Sequence, residues 1–160
     1  MRLLLRQRYF SIRDRYEVKD DANVTRYLAS SRLFTFLYEL HVEDLATHDQ
    51  YMAKARFRHF FPRIDISKNG EVIGRIQRRF GWPRRYYTLT TPFGKWEAIC
   101  SAFGYTVWYG LKGEKASLGT MSKKILAIAD TYTIDINEDA HAPFLLLTSM
   151  VMDKLHHPKN

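Results

Sequence analysis

Cysteine is almost absent from this 160-residue chain, which holds Cys100 alone. No internal disulfide can form and no cysteine-based metal spacing exists, so a reducing, intracellular setting is the economical expectation. Long apolar runs are missing too. The opening "MRLLLRQRYF" has three consecutive leucines before Arg6, too few for the apolar core of a secretory signal. Nothing approaches the ~18 apolar residues of a membrane-crossing helix, and a cytoplasmic location is expected. Catalytic signatures are lacking: there is no G-x-S-x-G elbow, no H-E-x-x-H zinc pair and no P-loop. No catalytic residue, metal ligand or cofactor is therefore assigned. Cys100, within "EAICSAF", alternates with Ile99 and reads as a buried small hydrophobe. His41 falls opposite Leu40 and Val42 and reads as facing solvent or pairing across strands.

What is present is positive charge, unevenly placed. The chain has 25 Lys and Arg against 17 Asp and Glu. Residues 1–85 hold 18 basic and 10 acidic residues, whereas residues 86–160 hold 7 of each. The whole excess lies in the first half. It suits an anionic partner, phospholipid headgroups or nucleic acid, and equally a solvated basic face. No helix-turn-helix, zinc finger or RNA-recognition signature accompanies it, which disfavours nucleic acid. With 46% hydrophobic residues, residues 1–160 suffice for a single domain with a substantial core. Ten Tyr and ten Phe lean that core toward strands.

A repeat organises the sequence. Large apolar markers fall at Phe10, Phe34, Phe57, Phe80, Phe103 and Ile125, at intervals of 24, 23, 23, 23 and 22 residues. A spacing this regular implies one structural unit used repeatedly. Within each unit, period-two alternation marks strands: Tyr16 and Val18 against Arg15, Glu17 and Lys19, or Ile64 and Ile66 against Arg63, Asp65 and Ser67. "SKNGEV" carries the Asn-Gly pair of a type I′ hairpin, and "KDDANV", "TTPFGKW" and "LKGEKA" are punctuated similarly. Six units of two strands give about twelve antiparallel strands, too many for an open twisted sheet, and closure into a barrel removes the exposed edges.

The end of the chain supplies something to fill that barrel. "APFLLLTSMVMDKL", Ala142 to Leu155, has no polar stripe before Asp153. A helix apolar all round is enclosed by protein or lipid, and fourteen residues span about 21 Å, short of a bilayer's ~30 Å hydrocarbon core. The expected central helix runs over about 141–157, capped by Asn137, Glu138 or Asp139, with Lys154, His156 and His157 as charges at its negative end.

The richest basic stretch is "GRIQRRFGWPRRYY", where Arg75, Arg78, Arg79, Arg84 and Arg85 surround Phe80, Trp82 and Tyr86. Guanidinium groups bind phosphate in a bidentate manner, and Trp82 suits a bilayer interface. Lys123 and Lys124 occupy the equivalent place in the last unit, Arg56 and Arg58 in the third. On a barrel these clusters are expected near one rim, as a collective anionic-ligand site. The plainer reading has the aromatics sealing a barrel end and the arginines facing water.

The segments "FSI…YEV", "LFTF…LHV" and "SKK…ADTYTIDI", followed by an apolar helix, resemble the LURP-one-related family from about Leu3 to His157. That family shares the Tubby C-terminal-like fold with phospholipid scramblases, so the resemblance implies a closed twelve-stranded barrel around a central C-terminal helix. It implies membranes as well: Tubby domains bind phosphoinositide headgroups through basic residues, and scramblases are membrane proteins that use calcium. No D-x-D-x-D-G calcium loop is found here. The resulting expectation is a non-enzymatic module, cytoplasmic or peripheral at the inner membrane surface, that recognises anionic phospholipid or phosphoinositide headgroups. The alternative is a scaffold or regulatory protein that binds a protein or small ligand.

Overall fold

The computed structural model describes residues 1–6, 15–34, 37–56, 63–79, 85–101, 106–124 and 131–156. The alternating segments form twelve strands: β1 Arg2–Arg6, β2 Arg15–Asp20, β3 Thr25–Phe34, β4 Leu37–Asp44, β5 Gln50–Arg56, β6 Arg63–Lys68, β7 Glu71–Arg79, β8 Arg85–Thr91, β9 Gly94–Cys100, β10 Thr106–Leu111, β11 Ser117–Lys124 and β12 Thr131–Ile136. Each pairs antiparallel with its neighbours in sequence, and β1 closes the ring on β12 through Leu3 opposite Ile134 and Leu5 opposite Tyr132. Closure leaves no edge strand with unpaired backbone groups. The 23-residue period is thus one pair of strands. Phe34 ends β3, and Phe57, Phe80 and Ile125 each follow directly the last residue of an odd-numbered strand.

Strands of this up-and-down barrel alternate in direction, which defines two rims. Odd-numbered strands end and even-numbered strands begin at the upper rim; tight turns join the strands at the lower one. Asn69 and Gly70 both take positive φ, 48° and 87°, as the type I′ reading requires. Acidic residues beside the turns have local work. Asp20 accepts backbone N–H bonds from Ala22 and Val24, and Asp44 does so from Ala46 and Thr47.

Helix α1, Ala142–His156, runs up the barrel axis from the lower rim, and every residue from Ala142 to Asp153 is buried. The inward strand positions are Leu, Ile, Val, Tyr and Trp, with Ala53, Ala55 and Ala98 where space is short. Two glycines set the closest approaches. A Cβ on Gly74 would sit 2.5 Å from the Thr90 carbonyl oxygen and 3.1 Å from the Phe144 ring, and one on Gly119 would meet the Asp135 backbone and lie 3.1 Å from Leu145. At roughly 1.5–3 kcal/mol per fully buried Leu, Val or Met side chain, helix and barrel depend on each other for stability.

The helix start differs from its sequence reading. A 3-10 turn, Asp139–His141, precedes α1, and Glu138 makes no side-chain capping bond. Asn137 instead donates from its amide to the Ser117 carbonyl, tying the β12 exit to β11. Buried polar helix residues find partners nearby: Thr148 donates to the Phe144 carbonyl at 2.7 Å, and Ser149 pairs with the Tyr109 hydroxyl at 2.8 Å.

Leu147, fully buried in mid-helix, gives the direct test of this arrangement. Leu147→Asp places an unpaired charge in the core and is expected to abolish cooperative folding, as read by near-UV circular dichroism and protease resistance. A soluble variant with native-like melting would overturn the central position of α1.

Candidate anion-binding surface

Topology decides where the charge goes. Of the twelve strand ends at the upper rim, seven are Arg or Lys: Arg6, Arg15, Arg56, Arg63, Arg79, Arg85 and Lys124. The twelve ends at the lower rim include two basic and three acidic residues. The basic excess of the sequence therefore collects at one end of the barrel. Its densest part is an arc over β5 to β8. Lys124, on β11, stands three strands from β8, on the order of 14 Å at the usual interstrand spacing. Arg84 and Trp82 lie outside the described residues, as do Phe80, Arg58 and His157.

Alternation separates the arginines of β7 and β8 by face. Arg78 continues the inward series of Gly74 and Ile76, yet at the open end of the barrel it is exposed. Arg75 and Arg79 belong to the outer wall. Among the described residues Arg78 and Lys124, both exposed, make no ion pair, and Arg79 donates only to the Thr88 hydroxyl, at 3.0 Å. Tyr86, exposed, stands directly opposite Arg79 across the strand pair.

Three other predicted residues spend their charge inside the molecule. Lys123 points inward and donates to Asp153 of α1 at 2.8 Å, with the two side chains only 4% and 11% exposed. Its ammonium also lies 5.2 Å from the centre of the Tyr132 ring. Arg85 donates from Nη1 to His156 Nδ1 at 2.6 Å. Arginine offers donors alone, so Nδ1 accepts, the proton sits on Nε2, and the ring is neutral, bonded by Nε2 to the Tyr87 hydroxyl at 3.2 Å. His156 thus ties the helix end to the wall through Arg85 and Tyr87. Burial pushes the Tyr87 phenol up to about 12. Arg75 donates to Asp65 at 3.1 Å.

On the outer wall, one row of directly opposed residues runs Arg32, Glu39, Lys54, Asp65, Arg75 across β3 to β7, alternating in sign. Lys54 meets Glu39 at 2.9 Å, and His41 adds a 3.4 Å contact to the same carboxylate from the wet face, as its spacing implied. Opposite-charge pairs of this kind each contribute a few tenths of a kcal/mol to about 1 kcal/mol. The Lys54 hydrogen bond holds the Glu39 carboxyl below its usual range, and contacts with Lys68 and with the backbone of Val24 do the same for Asp49 and Asp20 respectively.

Cys100 is fully buried, burial pushes its thiol up to about 12, and its S–H points to the Met152 sulfur at 3.9 Å. Among the described residues no cluster of three or more His, Cys, Asp or Glu could hold a metal ion. A cavity of ≈ 20 Å³ beside α1, between Tyr16 and Ser149, has room for about one water and none for a metabolite. A larger groove of ≈ 870 Å³ lies on the side of β1 to β4, lined among others by Leu4, Glu17, Leu28, His41 and Glu43.

A closed antiparallel barrel filled by its own C-terminal helix is a Tubby C-terminal-like architecture, a binding type of domain. Within that class the chain belongs to the LURP-one-related family, whose model matches residues 1–153. No curated protein sequence and no solved structure matches the chain.

The Lys123–Asp153 pair is checked by a mutant cycle. Lys123→Met strands a buried carboxylate and is expected to cost about 3–5 kcal/mol, whereas adding Asp153→Leu recovers most of the loss, both read by denaturant unfolding. A single variant of unchanged stability would show the pair to be idle. The wall row predicts acid sensitivity. Carboxylates with depressed folded-state pKa values stabilise the fold above their unfolded value, about 4, and lose that contribution as pH falls through the folded one. Glu39→Gln should therefore flatten the melting-temperature profile below about pH 4.

Proposed function

We propose that this chain is a non-catalytic module that docks reversibly on anionic membrane surfaces through its upper rim. The observation that carries the reading is the unspent cationic charge there: Arg78, Arg79 and Lys124 are exposed and hold no carboxylate among the described residues. The exposed Tyr86, opposite Arg79, adds an aromatic suited to an interface. A basic residue near an anionic leaflet contributes about 1 kcal/mol, so these three cations give weak attraction, in the millimolar range. Peripheral, salt-sensitive association at the cytoplasmic face follows from that magnitude. No helix of the described residues is long and apolar enough to cross a membrane, and α1 is enclosed, so neither membrane anchoring nor groove reading of nucleic acid falls to it.

A second reading, a regulatory module that takes a protein segment or small ligand, draws on the groove beside β1 to β4, whose volume falls in the range of ligand sites.

Sedimentation with acidic and neutral vesicles across a salt series separates the two. The expected result is binding to acidic vesicles that weakens with salt and survives a nucleic-acid competitor. Arg78→Glu with Arg79→Glu should abolish it while shifting the melting temperature little. Binding unaffected by the double replacement would remove the rim from the argument, and no binding at low salt would favour the groove.

A further inference from the structure

The outer wall at the β5–β6 end of the upper rim carries an imbalance of its own. Asp65 is 93% buried although it lies on the wet face of β6, because arginines from three strands cover it. Arg56 of β5 contacts it at 2.8 Å, Arg75 of β7 at 3.1 Å and Arg63 of β6 at 3.6 Å, all through Nε. Arg56 and Arg63 are also directly opposed across β5 and β6, a like-charge pairing that on its own destabilises a sheet. One carboxylate therefore serves three guanidiniums, and Lys54, next in the row, is committed to Glu39. The remaining charge is +2.

Arg63 makes the shortage explicit. Its Nε is buried without any hydrogen-bond partner, and 3.6 Å from Asp65 is beyond hydrogen-bond reach, while its side chain as a whole is 34% exposed. Among the described residues it has no hydrogen bond to give up in turning toward a newcomer. Arg75 uses one N–H on Asp65, out of the five that a guanidinium carries, and Arg56 meets the carboxylate as an ion pair.

We propose that Arg56, Arg63 and Arg75 form an oxyanion site on the outer wall, selective for a dianionic phosphomonoester. Two negative charges neutralise the cluster, and three terminal oxygens match donors arriving from three strands. A phosphodiester, with one charge and two such oxygens, meets half of the charge and leaves one donor without an oxygen. Asp65 fixes the arginines in place and competes with the ligand. The site takes in two strand ends of the upper rim, Arg56 and Arg63, on the outward side of the wall, but none of Arg78, Arg79 and Lys124, and it stands whether or not those three meet a membrane.

The test follows the arginine Nε–Hε resonances by NMR during titration with inorganic phosphate. Saturable shifts at Arg56, Arg63 and Arg75 are expected, with affinity lowered about tenfold by Arg63→Gln, the scale of one charge-assisted hydrogen bond, and raised by Asp65→Asn. Glycerophosphocholine, a diester, should bind at least about tenfold more weakly than glycerol 3-phosphate, since it forgoes one such contact. Shifts with glycerol 3-phosphate identify a free phosphate ester as sufficient; shifts at the same arginines only with a short-chain phosphatidic acid identify a lipid headgroup. No saturable shift with any of these probes overturns the site, as do shifts confined to Arg78, Arg79 and Lys124, which would leave the rim reading intact.

Discussion

A helix without a polar face has to be enclosed, and that requirement organises this molecule. From Ala142 to Asp153 no side chain of α1 reaches solvent to any substantial degree. Twelve strands closed into a ring provide a complete wall, and the ring needs the helix as much as the helix needs the ring. Without α1 the inward leucines, isoleucines and tyrosines would line a wet channel; without closure the helix would present its apolar flanks to water. Gly74 and Gly119 mark where the fit leaves no room even for a Cβ.

Polarity at the upper rim follows from the same construction. The helix ends there, and its last turn is the first part with ionisable side chains in contact with the wall. Asp153 takes Lys123, and His156 takes Arg85 and Tyr87. Two basic residues that look, in sequence, like equals of Arg78 and Lys124 thus become fasteners of the plug. The distinction depends on strand parity and distance from the rim: Lys123 and Arg85 share the inward phase within reach of α1, whereas Lys124 points out and Arg78 projects past the helix.

The features legible in the sequence are those with local causes. Period-two alternation, the Asn69-Gly70 turn, the 23-residue unit and the uniformly apolar helix each follow from a few neighbouring residues, and barrel closure follows from their number. Cross-strand identities were not legible. That Asp65 would face Arg75 and stand beside Arg56 depends on the register of three strands, including a shift between Ile66 and Ser67. "RIDIS" alone marks Asp65 as an ordinary solvent-facing acid. Asn137 was misread for the same reason: a capping residue by position in the chain became a tie to Ser117 of the neighbouring strand.

The two clusters that escaped sequence reading share one physical logic. Lys123 with Asp153 is balanced, one charge against one, nearly dry, and its removal leaves nothing for a ligand to use. Asp65 with Arg56, Arg63 and Arg75 is unbalanced, half open to solvent, and keeps two arginines opposed across a strand pair. A fold selected for stability alone would replace one of those opposed cations with a neutral or acidic residue, since the sheet would gain from the exchange. Retaining the repulsion costs free energy in the empty protein and lowers the cost of receiving an anion, because binding then relieves strain between groups already held in position. Balanced charge at the helix end and unbalanced charge on the wall are thus two uses of the same residue types, distinguished by whether the protein supplies the counter-ion itself.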